Sequence, residues 1–262
     1  MSEHDNERSL KRLNHLRTDV RPVRVGTLFD RYYRRLQLEY RNEYVFKNTL
    51  LHEQLLQKYK LSSTVVLDEF KIAASKADFI LLNGEIRVFE VKTDLDNFDK
   101  LDKQIADYRR FASKIYLVVT ERLADRVSQR LLQSSVGIII YSDSGHLITK
   151  KVAEQDDSSL DHSVIFKVLR KAEYLELISK HFGRVPNVPN TRVFSECLTL
   201  ARELPVITLQ NDVRQILRRR NIRCPELLIS KRTPTSLKHL CYRMNLTFSQ
   251  YQDLFRILDT KQ

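Results

Sequence analysis

Lys76–Lys92, Lys-Ala-Asp-Phe-Ile-Leu-Leu-Asn-Gly-Glu-Ile-Arg-Val-Phe-Glu-Val-Lys, is the stretch whose reading decides the fold. It reads as two apolar strands meeting at Asn83-Gly84, a pair that tolerates positive φ and so marks a hairpin. Strands this apolar on both faces are usually covered on both faces. Asp78, Glu90 and Lys92 interrupt them, and charges in such a place are paired, hydrated in a cleft or bound to an ion. Parity makes the arrangement testable. Glu90 and Lys92 are two residues apart and share a face. A plain two-residue turn would set Leu82 opposite Glu85 and point Asp78 away from Glu90. An odd-length loop, or one bulge residue, reverses the parity and gathers the three charges on one patch. We expect the odd connection; strict two-residue pairing would dismantle the site.

The flanking pattern predicts an α/β core. Helical periodicity runs from Thr27 to about Tyr59 with a break near Tyr40–Asn42. Ser63–Ile72 is β-branched and reads as a strand. After the hairpin, Asp96-Asn97 reads as an N-cap, and Phe98, Leu101, Ile105, Tyr108 and Ala112 predict a helix to about Ala112. Lys114–Thr120 reads as a strand, Glu121–Gln133 as a helix, Val136–Tyr141 as a strand, and His146–Val152 as a last strand after a turn at Ser142–Gly145. Helices alternating with strands indicate a layered domain with a mixed sheet. Residues 154–162 are polar and acidic, and from 163 the pattern is helical to the end. The expected division is a basic arm over 1–26, a core over 27–153 and a basic all-helical region over 163–262.

This order, with Asp78 followed by Glu90-Val91-Lys92, resembles the PD-(D/E)XK nuclease superfamily. More narrowly, it resembles a bacterial stand-alone family with a similar Asn-Glu-Tyr-Val segment (here 42–45) and a Glu-Val-Lys-Thr-Asp segment (90–94). Gln104-Ile105-Ala106-Asp107-Tyr108 has the Gln-x-x-x-Tyr spacing of RecB-like members. The resemblance covers roughly Tyr40–Lys150, and Ala77 stands where the family name puts proline. It implies a restriction-endonuclease-like core hydrolysing DNA phosphodiester bonds with Mg²⁺ or Mn²⁺. The implied metal ligands are Asp78, Glu90 and the Val91 carbonyl, with Glu43 as third carboxylate and Glu53 and Glu69 as alternatives. Lys92 would orient or deprotonate water. Gln104 would orient phosphate or Lys92, and Tyr108 reads as a packing residue. The rival is a nuclease-like module that binds DNA or protein without cutting.

These residue types suit the chemistry. Hard divalent cations take carboxylate and carbonyl oxygens, and they supply Lewis acidity and a lowered water pKa. Two carboxylates about 4 Å apart repel by roughly 4 kcal/mol at an effective dielectric near 20, so a converged Asp-Glu pair calls for a cation or a proton.

Bulk composition narrows the partners. The 262 residues carry a net charge of +12, which favours a polyanion such as DNA. Residues 163–262 hold 18 Lys and Arg against 8 Asp and Glu. The densest cluster is Arg218, Arg219, Arg220, Arg223, Lys231 and Arg232, a candidate for phosphate contacts. The helical region is also a candidate surface for a protein partner, and a homodimer fits nucleases of this shape. Five glycines and no glycine-rich loop argue against a nucleotide cofactor. The seven histidines show no ligand spacing, and Cys197, Cys224 and Cys241 form no CxxC, which argues against structural zinc and for buried free thiols. No apolar run reaches membrane-span length, and the first residues hold no signal-peptide core. The expectation is a cytoplasmic protein of phage or mobile-element DNA processing, or of defence.

Overall fold

The computed structural model describes residues 22–261, so residues 1–21, most of the expected arm, lie outside it. Helix α1 (Val25–Glu39) and helix α2 (Glu43–Leu50) are separated at Tyr40–Asn42, where the Asn42 side chain accepts from Val45 N and caps α2. A π-helical turn, Leu51–Leu56, extends α2. Three antiparallel strands follow: β1 (Val65–Ile72), β2 (Ser75–Asn83) and β3 (Glu85–Lys92). Next come helix α3 (Leu101–Arg109), strand β4 (Lys114–Thr120), helix α4 (Ala124–Arg130) and strands β5 (Gly137–Tyr141) and β6 (Leu147–Lys151). The sheet order is β1-β2-β3-β4-β5-β6, with β3-β4 and β4-β5 parallel and the other pairs antiparallel. At Gly137 a Cβ would lie 2.5 Å from the Tyr116 ring and 2.6 Å from Ala153 N, so only glycine lets β5 pass there.

Among the described residues seven α-helices follow, with a 3₁₀ turn at Thr235–Leu237: α5 (His162–Lys167), α6 (Lys171–Phe182), α7 (Asn190–Ala201), α8 (Val206–Leu217), α9 (Pro225–Ile229), α10 (Lys238–Met244) and α11 (Phe248–Asp259). They supply both faces of the sheet. On one face Ile80, Leu82, Val88 and Leu117 pack with α3 and with Phe166, Leu177 and Val213 of α5, α6 and α8. On the other, Phe79, Leu81, Phe89 and Val91 pack with Phe46 and Leu50 of α2 and with Tyr242 and Phe255 of α10 and α11. The change of element type near residue 160 is therefore not a change of core. This double cover explains why β3 is apolar on both faces. Edge strand β1 is closed by Tyr242, whose hydroxyl lies 2.7 Å from Val66 N and 3.0 Å from Val66 O, which blocks outside strand pairing.

Two local expectations need correction. Helix α3 starts at Leu101, not at Asp96-Asn97. The Asp96 carboxylate instead accepts from Thr93 N (2.8 Å) and Thr93 Oγ1 (2.7 Å), a local turn that outcompetes a helix cap. The helix expected over Glu121–Gln133 is a 3₁₀ turn, Glu121–Leu123, followed by the shorter α4.

Candidate active site

The hairpin register creates the site. Asn83 pairs with Glu85 and Leu82 with Ile86, so the connection centres on Gly84 alone, at φ +67°. Parity is that of the odd loop, and Glu90 and Lys92 share the α3 face with Ile86 and Val88. Pairing of β2 with β3 stops at Phe79–Phe89, although both strands continue. In the opening, Asp78 Oδ2 accepts from Val91 N at 2.9 Å. The Val91 carbonyl leaves the same edge of its strand as the Val91 N–H, so it too faces the opening.

A second irregularity lies beside the first. Ala77 and Ile80 belong to the α3-side core, but Phe79 belongs to the α2-side core. Alternation in β2 thus slips at Asp78. In β1 it slips opposite, at Glu69, with Leu67 and Phe70 both on the α3 side. Glu69 takes φ +53°, a left-handed backbone uncommon for a residue with a side chain. The slip leaves Asp78 between the two layers, open to both α2 and β3.

On the α3 side, Glu90 is buried and fully engaged. Its Oε1 accepts from Lys92 Nζ (2.9 Å) and Gln104 Nε2 (2.5 Å), and its Oε2 from the Tyr108 hydroxyl (2.7 Å). Tyr108, read from sequence as packing, is fully buried and also holds this carboxylate. Its phenol is raised above its usual range by burial and then by the Glu90 charge. Gln104 acts on Glu90, not on Lys92, and its Oε1 is a buried acceptor with no partner.

On the α2 side, Lys47 gathers the other carboxylates. Its ammonium lies 2.5 Å from Glu43 Oε1 and 3.3 Å from Asp78 Oδ1 and is ion-paired with Glu69. One oxygen from each of Glu43, Glu69 and Asp78 lies within 4.8 Å of the others. Both Glu43 and Glu69 therefore reach the site. Glu53 does not: it accepts from Leu147 N at 2.9 Å and lies 3.1 Å from His146 Nδ1. Lys47 escaped sequence reasoning, although Glu43 and Lys47 stand at i,i+4 on one helix face, a signal that could have found it.

Charge follows the geometry. Burial, and then the neighbouring Glu90 charge, push the Asp78 carboxyl up to about 7. Burial works against the Lys47 ammonium, but Glu43 and Glu69 outweigh it and hold the group above its ordinary range. Glu69 feels some burial too, but Lys47 and Lys76 draw it down to about 2. The donor set fits a hard divalent cation: carboxylate oxygens, the Val91 carbonyl on the same strand edge, and an acid raised to about 7 by burial and by Glu90.

The basic cluster does not form one free patch. Arg219 makes a bidentate pair with Glu176 at 2.7 and 2.8 Å, and Arg220 pairs with Glu173. Arg218 donates to the Ser63 carbonyl at 2.7 Å, and Arg232 pairs with Asp259 while lying over Phe255. Arg223 and Lys231 are exposed. Cys197, Cys224 and Cys241 are free and buried. Among the described residues no helix is long and apolar enough to cross a membrane.

A family model described as bacteriophage P4 protein cII matches residues 36–241, a span containing every residue of this site. "Protein cII" of Enterobacteria phage P4 is 27% identical over 135 residues, covering 50% of this chain and 51% of that protein. The chain thus spans about half the length of that relative. A solved structure, "SPO1766 protein of unknown function from Silicibacter pomeroyi", is 18% identical and covers 49% of this chain and 86% of its own, with a TM-score of 0.31.

Proposed function

We propose that this chain, which belongs to the bacteriophage P4 protein cII family, is a metal-dependent nuclease hydrolysing DNA phosphodiester bonds at Asp78, Glu90 and Lys92. One observation carries the reading: Asp78 and Glu90 stand together where the hairpin opens, with the Lys92 ammonium on Glu90. The resemblance of Asp78, Glu90-Val91-Lys92 and Gln104-x-x-x-Tyr108 to PD-(D/E)XK nucleases supports it. The phage family supports a phage or mobile-element setting for it.

Asp78, Glu90 and the Val91 carbonyl would hold Mg²⁺ or Mn²⁺, with Glu43 nearby as a further oxygen. The ion would supply Lewis acidity and a more acidic bound water. Gln104 and Tyr108 fix the Glu90 carboxylate from two sides. Lys92, held on the same face, offers an ammonium to a phosphate oxygen or an attacking water. Arg223 and Lys231 are the members of the basic cluster most open to a DNA backbone.

The test is cleavage of single- and double-stranded DNA with Mg²⁺, Mn²⁺ or EDTA, using wild type and Asp78→Ala. Wild type should cut only with metal. Asp78→Ala should lose cleavage and keep its circular-dichroism spectrum. Unchanged cleavage by the variant rejects the assignment.

A second reading is a nuclease-like module that binds DNA without cutting. The Lys47 ammonium within the acidic trio favours it, because the carboxylates are partly neutralised already. Binding in EDTA with no cleavage under either metal would select this reading.

A further inference from the structure

Lys47 is a lysine only 3% exposed, inside a helix whose neighbouring Phe46 and Asn48 are fully buried. Lysine is almost never buried so far without a partner. Three carboxylates with oxygens within 4.8 Å of one another repel, and a cation among them relieves that repulsion. Each explains the other. We propose that the Lys47 ammonium fills the second cation position of this site, so that the protein binds one divalent ion, beside Asp78 and Glu90, and not two. The inference rests on the nuclease reading for that first ion.

Three observations carry it. The first is placement. Lys47 meets carboxylates from three elements, α2, β1 and β2, and so occupies the centre of the acidic trio and not its rim. The second is charge. Four carboxylates (Glu43, Glu69, Asp78, Glu90) face three ammoniums (Lys47, Lys76, Lys92). That is a net charge of −1, which one divalent ion turns to +1. A second would raise it to +3, so two divalent ions and the Lys47 ammonium would repel one another in the same cluster. The third is confinement. Two-metal sites hold their ions about 3.5–4 Å apart, and the Lys47 side chain, 4% exposed, is held in that position by its carboxylate partners. The left-handed Glu69 fits the same account, because its local backbone departure coincides with a carboxylate that bridges Lys47 and Lys76.

The experiment counts Mn²⁺ bound to the full chain, by calorimetry and by electron paramagnetic resonance, for wild type, Lys47→Met and Asp78→Ala. Methionine keeps the length and removes the charge. Wild type should bind one ion and Lys47→Met two, the second at least tenfold tighter than any second site in wild type. Thermal melts with Ca²⁺ give a readout independent of cleavage, and Lys47→Met should gain more from the ion than wild type does. One ion on Lys47→Met with wild-type affinity overturns the proposal, as do two on wild type. Should Lys47→Met be unfolded in EDTA, refolding on adding Mn²⁺ supports the proposal, and failure to refold overturns it. No ion on wild type, with Asp78→Ala identical, sinks the nuclease reading. An ion gained by Lys47→Met alone would even then uphold the role of Lys47.

Discussion

Glu90 and Asp78 stand side by side and are held in opposite ways. Glu90 is fixed by two neutral donors, Gln104 and Tyr108, and by one ammonium. Asp78 has one backbone N–H and a share of Lys47, an ammonium closer to Glu43 and to Glu69 than to itself. The α3 half of the site is thus a preorganised cradle for one carboxylate. The α2 half is an ionic cluster left short of positive charge, with Asp78 taking up the shortfall as a proton. The difference shows which carboxylate has spare capacity: a ligand ion gains most at Asp78, while Glu90 supplies a fixed point.

The comparison breaks hardest at Glu90. Removing one partner of a buried ion pair costs about 3–5 kcal/mol, because the other charge stays buried and unmatched. Glu90→Ala strands the Lys92 ammonium, while the Tyr108 hydroxyl keeps the Lys76 carbonyl at 3.0 Å, so a loss within that range is expected in urea unfolding. Lys92→Met in the Glu90→Ala background should recover part of it. A loss under about 1 kcal/mol would mean that water reaches the cradle and that Glu90 is no fixed point.

Asp78 sharpens the contrast through pH. Its carboxyl sits at about 7 in the fold against an ordinary 3.8. A raised acid binds its proton more tightly folded than unfolded, so stability falls as pH rises from about 4 to about 7. Glu69, drawn down to about 2, acts oppositely and in another window: its contribution is full above 4.5 and is lost as pH falls toward 2. The difference in unfolding free energy between wild type and Asp78→Asn isolates the first effect. Wild type should gain on the variant as pH drops from 7 to 4. A flat difference would place Asp78 among ordinary solvated acids, and Mn²⁺ should flatten it by replacing the proton.

The place of the hairpin was legible in Asn83-Gly84, and two-residue spacing put Glu90 beside Lys92; the odd register followed only from requiring Asp78 to join them. The break before α2 and the helices after residue 163 were legible from periodicity. The α2 half was not. Whether Glu43, Glu53 or Glu69 joins Asp78 depends on how α2 is rotated against the sheet and on the slip at Glu69, and neither leaves a mark in residue spacing. The basic run 218–220 misled for a related reason. Sequence shows surplus arginine but not that Glu173 and Glu176, more than forty residues earlier, come back to meet it on α6.

The smallest effect concerns Lys76, which also pairs with Glu69 but is 62% exposed. Exposed ion pairs contribute about 0.2–1 kcal/mol and weaken with salt. Lys76→Ala should therefore cost less than about 1 kcal/mol at low salt and almost nothing near 1 M, where the Debye length is about 3 Å. Lys47→Met, carrying the same charge change in a buried position, should keep its cost at high salt, since buried pairs are screened much less. Equal salt sensitivity of the two would show that Lys47 is hydrated like Lys76, and the ammonium could then no longer stand in for a metal ion.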